Sequence, residues 1–332
     1  MLNVAVVGLG WWGRIIVGHL RGHPGLRVVM GVDAAPAPQA AFARGHGFDL
    51  RPRLEDALAD PRIEAVILCT PHSLHCAQII AAARARKHVF CEKPLCLTRA
   101  EVLEAVGACE AQGVALAVGH EKRFEPPIQD LFRALREGAL GTPLQVEANF
   151  SQDKFLALDP SNWRLSAKEA PAGPLTATGI HLLDLSIGVF GPAATAYASV
   201  RQLGSQLANG DTLAVLLGFQ SGGHALIGAI LATPFVGRFA VYGNQGWIEV
   251  RDKTHPEAPE GWTMTTCLRG ERAQVKEYPP APSVVANLEA FAEAARGGRP
   301  YPVPREQMIA NICALEAVVK STRSGKVEAV EN

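Results

Sequence analysis

The sequence predicts an α/β protein in two parts: an N-terminal doubly wound parallel sheet, then an α+β domain built on a large, mostly antiparallel sheet. Three observations predict it. Over the first third, short apolar runs alternate with amphipathic helical stretches, the pattern of βαβ units. After about residue 120 the texture changes to runs rich in strand formers, separated by Gly pairs and Asn-Gly or Gly-Asn steps. At 332 residues the chain also exceeds the roughly 250–300 residues at which one core stops growing. The predicted cut falls at 122, giving domains 1–122 and 123–332, with the closing helices free to pack back on the first.

The elements follow in order. Strands are predicted at Asn3–Val7, Arg27–Val32, Ala65–Cys69, His88–Cys91 and Ala115–Val118, each apolar on both faces as a helix-covered parallel strand must be. Helical patterns at Trp12–Arg21, Ser73–Ala85 and Arg99–Gln112 lie between them. A helix at Pro126–Glu137 leads into strands at Pro143–Ser151, Ala196–Leu203, Thr212–Gln220, His224–Ala232, Arg238–Tyr242, Trp247–Arg251 and Thr263–Leu268. Asn209-Gly210, Gly222-Gly223 and Gly243-Asn244 are read as hairpin turns. One helix is expected near Gly179–Val189. Two more, Val284–Ala295 and Arg305–Ser324, close the chain after the breaks at Pro279, Pro280 and Pro282.

The first strand runs directly into Gly8-Leu-Gly10-Trp11-Trp12-Gly13 and then a helix. Gly8 permits the tight turn, Gly10 lets the backbone approach a pyrophosphate, and Gly13 allows close helix–strand packing. The helix N-terminus, with Trp11 and Trp12 in the variable positions, offers N–H groups and a positive dipole end to the phosphates. Asp33 ends the second strand twenty positions after Gly13, where a carboxylate accepts hydrogen bonds from the adenosine ribose hydroxyls. It would repel a 2′-phosphate, and no Arg or Lys follows in Ala34–Ala41. The expected cofactor is NAD rather than NADP, on a Rossmann domain.

Glu92-Lys93-Pro94, closing the fourth strand, resembles the E-K-P signature of the Gfo/Idh/MocA oxidoreductases. Other segments are similar in order and spacing: Thr70-Pro71 with His75, Gly119 with Arg123-Phe124 and Pro126, Trp163-Arg164, Gly179-Ile180-His181 with Asp184, and Val241 to Gly246. The resemblance spans nearly the whole chain. It implies cofactor contacts from Thr70, Pro71, His75, Glu92, Lys93, Trp163 and Arg164, and dimers or tetramers built through the second domain's sheet. It also exposes one departure. The family commonly carries an Asp four residues before its catalytic His, and here that residue is Ala177.

Two groups are expected to carry chemistry. Lys93 sits at the carboxyl end of a parallel strand, where open α/β sheets place their ligands. Beside a positively charged nicotinamide ring, its ammonium is suited to exchanging a hydroxyl proton. His181 is the second acid or base, its imidazole titrating near neutrality in its free form. His120, Arg123, Lys168, His181 and Asp184 are candidate substrate contacts, and His72 and Glu121 candidates to line the same site. Three functions are open: a dehydrogenase or reductase for a sugar, cyclitol or related hydroxy compound, an NAD-using hydrolase or lyase that oxidises transiently, and an NAD-binding regulator without catalysis. Ala177 motivates the last, and retention of Lys93 and His181 speaks against it.

Composition excludes other classes. Lys+Arg and Asp+Glu are both 32, so no charge excess marks a nucleic-acid or anionic-membrane surface. No apolar run reaches the ~20 residues a membrane span requires. Seven scattered cysteines without a C-x-x-C pair point to reduced thiols and a cytoplasmic location. No cysteine–histidine cluster has zinc-ligand spacing, so no metal is expected. A sheet covered by helices on one side only would also leave an apolar face for self-association.

Overall fold

The structure, a computed structural model, describes residues 1–332. The chain divides into two compact units, the first comprising Met1–Gly119 with Val284–Arg305, and the second His120–Ser283 with Glu306–Asn332. The first unit thus ends near residue 119 and takes in the later segment 284–305.

In the first unit, the strands are β1 (Leu2–Val7), β2 (Leu26–Val32), β3 (Asp49–Arg51), β4 (Ala65–Leu68), β5 (His88–Cys91) and β6 (Leu116–Val118). They form one sheet in the order β3-β2-β1-β4-β5-β6, every pair parallel. The order reverses beside β1, and a doubly wound sheet opens a ligand crevice at such a point. Helices α1 (Trp11–His19), α2 (Ala40–His46), α3 (Leu54–Ala59), α4 (His75–Arg84) and α5 (Arg99–Gln112) make the crossovers. Helix α5 shows how locally its start is specified. Thr98 Oγ1 accepts from the Glu101 N–H while Glu101 Oε2 accepts from the Thr98 N–H, and Gly113 at φ +64° closes the other end.

The second unit contains α6 (Pro126–Arg136), β7 (Pro143–Ser151), α7 (Ile180–Phe190), β8 (Ala193–Arg201), β9 (Thr212–Phe219), β10 (His224–Ile230), β11 (Val236–Gly243), β12 (Gly246–Asp252), β13 (Trp262–Leu268) and β14 (Gln274–Tyr278). Helix α8 (Ser283–Ala295) belongs to the first unit apart from its opening serine. Helix α9 (Arg305–Ser324) and β15 (Glu328–Ala329) complete the second. Nine strands form one sheet in the order β14-β13-β12-β11-β7-β10-β9-β8-β15. All pairs are antiparallel except β7 with β10, where Gln145 pairs with His224 and Asn149 with Gly228.

Alternation along the strands sends Val146, Ala148 and Phe150 of β7, Val215 and Leu217 of β9, and Ala225 and Ile227 of β10 into the core. There they meet Leu182, Leu183 and Leu185 of α7 and Ala314, Leu315 and Val318 of α9. The opposite sheet face exposes Tyr197, Leu216 and Leu226.

One predicted turn differs. Asn209-Gly210 does not form a tight hairpin, and Gln202–Asp211 instead make a broad loop between β8 and β9. The buried Asp211 carboxylate organises it, accepting from the N–H groups of Leu203 and Gly204 and the hydroxyls of Ser205 and Thr212. The other two turns lie between adjacent antiparallel strands, as Gly222-Gly223 and Gly243-Asn244 indicate. No helix is long and apolar enough to cross a membrane.

Candidate active site

The glycine turn shows which of its residues serve the fold and which leave room for a ligand. Gly8 has φ +90°, and a Cβ there would lie 2.7 Å from the Cys69 carbonyl oxygen. A Cβ on Gly13 would lie 2.0 Å from the Gly8 carbonyl oxygen. Both positions therefore require glycine for packing. At Gly10 a Cβ would meet nothing within 4 Å. That open space lies at the N-cap of α1, where Gly10 has no side chain to cap the helix. Trp11 is exposed and Trp12 half-buried.

Asp33 ties this turn to the end of β2. Its Oδ2 accepts from the Leu9 N–H at 2.9 Å and its Oδ1 from the Ala35 N–H at 2.9 Å. A carboxylate has about four lone-pair sites, so capacity for ribose hydroxyls remains. A cation that Ala34–Ala41 lacks comes instead from α1. Arg14 Nε donates to the Leu9 carbonyl and to Gln39 Oε1, with its guanidinium 5.0 Å above the Phe42 ring. These residues fit a dinucleotide: open space over Gly10, a helix N-terminus for the pyrophosphate, and a carboxylate at the β2 end.

The ends of β4 and β5 share this edge of the sheet. Thr70 Oγ1 donates to Gln78 Oε1 at 2.6 Å, and Pro71 opens a short turn that buries His72. His75 is fully buried, its Nδ1 2.8 Å from the Pro94 carbonyl and its Nε2 3.0 Å from the Thr70 carbonyl. It thus stitches the turn after β4 to the loop after β5. Glu92 is also buried, with Oε2 accepting from the Lys93 N–H. Its carboxylate lies against Gly119 so closely that a Cβ there would sit 2.5 Å from Oε2. Glycine at 119 is what admits Glu92. Lys93, half-buried, is joined to the following Pro94 by a cis peptide bond in this braced loop.

In the second unit the opening segment His120–Glu125 lies alongside α7. His181 is buried at the start of that helix. Its Nδ1 is 3.7 Å from Glu121 Oε2, its ring packs edge-on to His120 at 5.4 Å, and Phe150 lies 6.0 Å away. The helix is preceded by one π-helical turn, Leu175–Gly179. Within that turn Ala177 packs against the apolar cluster of Phe155, Leu207 and Leu231.

Arg123 and Asp184 are paired with each other. Arg123 Nε donates to Asp184 Oδ2 at 2.6 Å and its Nη2 to the Asp184 carbonyl and Oδ1. Gly188 makes room for this guanidinium, since a Cβ there would lie 2.6 Å from Arg123 Nη1. The pair locks the His120–Glu125 segment to α7 one turn beyond His181.

Lys122 forms a second lock. Its buried ammonium lies 2.8 Å from Asp252 Oδ1 and 3.2 Å from Glu125 Oε1, and Trp262 Nε1 donates to the same Asp252 oxygen. Burial alone would lower the Lys122 pKa, but the Asp252 and Glu125 carboxylates outweigh it and raise it. Burial pushes Glu125 well above the usual carboxylate range, and neighbouring Asp252 adds to the rise.

Trp163 and Arg164 lie half-buried in a short turn capped by Asn162, with the guanidinium 4.2 Å above the indole. Lys168 is exposed in the same loop. The loop is anchored by Asn209, whose buried amide donates to the Arg164 and Ala170 carbonyls. Asn209, Lys122, Asp252 and Arg14 carry no sequence signal of their own. Each is one common residue that meets at least one partner distant in the chain.

Comparison with known proteins defines the class. Residues 2–120 match the model of an oxidoreductase family with an NAD-binding Rossmann fold, and residues 128–249 match the GFO/IDH/MocA C-terminal domain. A 1,5-anhydro-D-fructose reductase of Ensifer adhaerens is 28% identical over 100% of this chain and 98% of its own length. A scyllo-inositol 2-dehydrogenase (NADP(+)) of Bacillus subtilis is 25% identical, covering 84% of this chain and 82% of its own. Among solved structures, the aldose-aldose oxidoreductase of Caulobacter crescentus is similar with a TM-score of 0.87 and 26% identity, covering 99% of both chains. The molecule is an oxidoreductase acting on CH–OH donors, with an NAD-binding Rossmann domain. It belongs to the GFO/IDH/MocA family.

Proposed function

We propose that this protein transfers a hydride between NAD and a carbinol or carbonyl carbon of a cyclic sugar, cyclitol or related polyhydroxy compound. One observation carries the reading. The open space over Gly10, the Asp33 carboxylate and the braced Glu92-Lys93 loop all lie at the carboxyl edge of one parallel sheet. Relatives that share most of its length are named for an anhydro sugar and an inositol, which supports a cyclic polyol.

When bound, the nicotinamide supplies the hydride acceptor or donor for the substrate carbon. Gly8, Gly10, Gly13, Trp11 and Trp12 form the dinucleotide turn, Asp33 takes the ribose hydroxyls, and Thr70 and Pro71 flank the ring end. Lys93 Nζ accepts the hydroxyl proton during oxidation and returns it during reduction. Glu92 and His75 hold its loop still. His181 is the second acid–base group, and Trp163, Arg164, Lys168 and His120 contact substrate or nicotinamide. Arg123 and Asp184 hold the histidine's helix in place.

Asp33 favours NAD over NADP. Arg14 favours the opposite reading, since it could meet a 2′-phosphate, but its guanidinium is already held by Leu9 and Gln39. A panel of aldoses, cyclitols, acyclic polyols and hydroxy acids, assayed with each cofactor by absorbance of the reduced nicotinamide, tests the reading. A cyclic polyol turned over faster with NAD is expected. Turnover with NADP alone, or of hydroxy acids alone, sinks it. Product formed over bound NAD without net reduction would assign the hydrolase or lyase alternative instead.

The protein is further proposed to be cytoplasmic, its seven cysteines all unbridged, and to self-associate through the sheet face bearing Tyr197, Leu216 and Leu226. A monomer mass by light scattering at micromolar concentration would contradict the second point.

A further inference from the structure

We propose that Glu121 is the carboxylate that orients His181 and supports its positive charge, in place of a carboxylate at position 177. The inference rests on the reading of His181 as an acid–base group, and deepens it. Three observations point the same way.

The first is the fate of position 177 itself. Ala177 lies in the π-helical turn that precedes α7 and packs into the cluster of Phe155, Leu207 and Leu231, beside Leu158 and Leu165. Position 177 is half-buried against these hydrocarbon side chains, and its alanine brings no charge to the imidazole.

The second is that Glu121 comes to the imidazole from another segment. Its Oε2 lies 3.7 Å from His181 Nδ1, with both side chains buried. At that distance the contact is electrostatic rather than a formed hydrogen bond. It nevertheless decides which ring nitrogen faces the negative charge. A neutral imidazole beside a carboxylate keeps its proton on the nitrogen that faces it, leaving the other nitrogen basic. Glu121 therefore favours Nδ1–H and leaves Nε2 to exchange a proton with substrate.

The third is that Glu121 stands in a segment fixed on both sides of it. Lys122 is locked to Asp252 and Glu125, and Arg123 to Asp184. Glu121 and the His120 ring lie against the imidazole, while the other charged groups of this segment and its packed elements are paired with one another: Lys122 with Glu125 and Asp252, and Arg123 with Asp184 of α7. Arg123 is neutralised by Asp184. The single Lys122 ammonium is shared by Asp252 and Glu125 and also acts on Glu121. Of the carboxylates, Glu121 is the one set against the ring. Glu121 acts through His181 and is a positioning residue.

Imidazole nitrogen-15 shifts of the NAD-bound protein, with His181 assigned by its loss in His181→Asn, read this directly and need no substrate. The neutral His181 ring is expected as the Nδ1–H tautomer. Replacing the charge in Glu121→Gln leaves burial unopposed, so the midpoint of His181 titration is expected to fall by about one pH unit, a tenfold change in proton affinity. Glu121→Asp, which keeps the charge, is expected to restore most of the shift. An Nε2–H tautomer in the unaltered protein overturns the proposal even if no variant folds. An unmoved midpoint in Glu121→Gln overturns it as well. These outcomes are separable from failure of the proposed function, because a correct tautomer and midpoint shift in a protein whose His181→Asn variant turns over polyol normally would refute the catalytic role and leave the Glu121 contact standing.

Discussion

Alanine at Gly13 and at Gly10, introduced separately, should divide the glycine turn into a structural half and a ligand half. At Gly13 the new Cβ lies 2.0 Å from the Gly8 carbonyl oxygen, whereas ordinary contact begins at 3.4 Å, so helix and strand must part by about 1.4 Å. The clashing atom is backbone and cannot rotate away. Overpacking of this kind costs roughly 1–3 kcal/mol, partly offset by about 1 kcal/mol of helix propensity gained over glycine. A net loss of up to ~2 kcal/mol in stability is expected, with NAD binding lost alongside it.

At Gly10 the new Cβ meets nothing within 4 Å, and φ −67° with ψ −170° suits any residue. Stability should change by less than about 1 kcal/mol, the smaller unfolded-state entropy opposing a slightly poorer N-cap. The methyl group instead enters the space assigned to the pyrophosphate. Loss of one charge-assisted hydrogen bond, about 1.5–3 kcal/mol, corresponds to roughly 10–100-fold in Kd. Urea unfolding of the free protein gives the first quantity and calorimetric NAD titration the second. If Gly10→Ala binds NAD as tightly as the unaltered protein, the open space over Gly10 is not a phosphate site and the argument fails.

Lys93→Met is expected to lower kcat by about 10²–10⁴-fold with little change in NAD Kd. With Glu121 beside it, His181→Asn should fall in the same range rather than the milder loss that Ala177 alone would suggest; single-turnover rates compare the two. Lys122→Met strands Asp252 and Glu125 without their cation and should destabilise the second unit by about 3–5 kcal/mol, read by urea unfolding. Asp211 gives a pH dependence. Burial alone would raise its pKa, but hydrogen bonds led by the Leu203 N–H outweigh it and hold the carboxyl at about 2 against an ordinary 3.8. A depressed folded pKa contributes stability above 3.8 that is lost as pH falls toward 2. Asp211→Asn should therefore narrow the stability difference between pH 5 and pH 2, measured by fluorescence-detected unfolding.

The sequence disclosed most where one residue type at fixed spacing has one physical reading. The glycine turn, Asp33 and the alternating strands of the second unit are of this kind, and the structure puts them where periodicity and spacing indicate. Short elements escaped. Strand β3 has three residues and helices α2 and α3 have seven and six, too few for a period to emerge. The parallel pairing of β7 with β10 is invisible locally, because both strands alternate as an antiparallel strand does. The same limit applies to the site. Lys93 and His181 are legible within their motifs, but Glu121 gains meaning only when a helix sixty positions later brings an imidazole to it. Asn209 likewise reads as a turn residue until its amide is seen holding the Trp163–Arg164 loop.

The returning segment Val284–Arg305 sets an order on synthesis. Leu288 and Phe291 of α8 fill the core beside Phe90, Asn287 donates to the Val118 carbonyl, and the Tyr301 hydroxyl donates to that same carbonyl. A ribosome delivers β1 to β6 early, yet the apolar surface they bury stays uncovered until translation has passed Tyr301. The nine-stranded sheet is produced in that interval, and its last strand, β15, arrives later still. Neither unit can finish before nearly the whole chain exists. A nascent chain interrupted anywhere in the second unit would therefore carry a dinucleotide-binding sheet with an open core, a substrate for chaperones and proteases rather than for NAD.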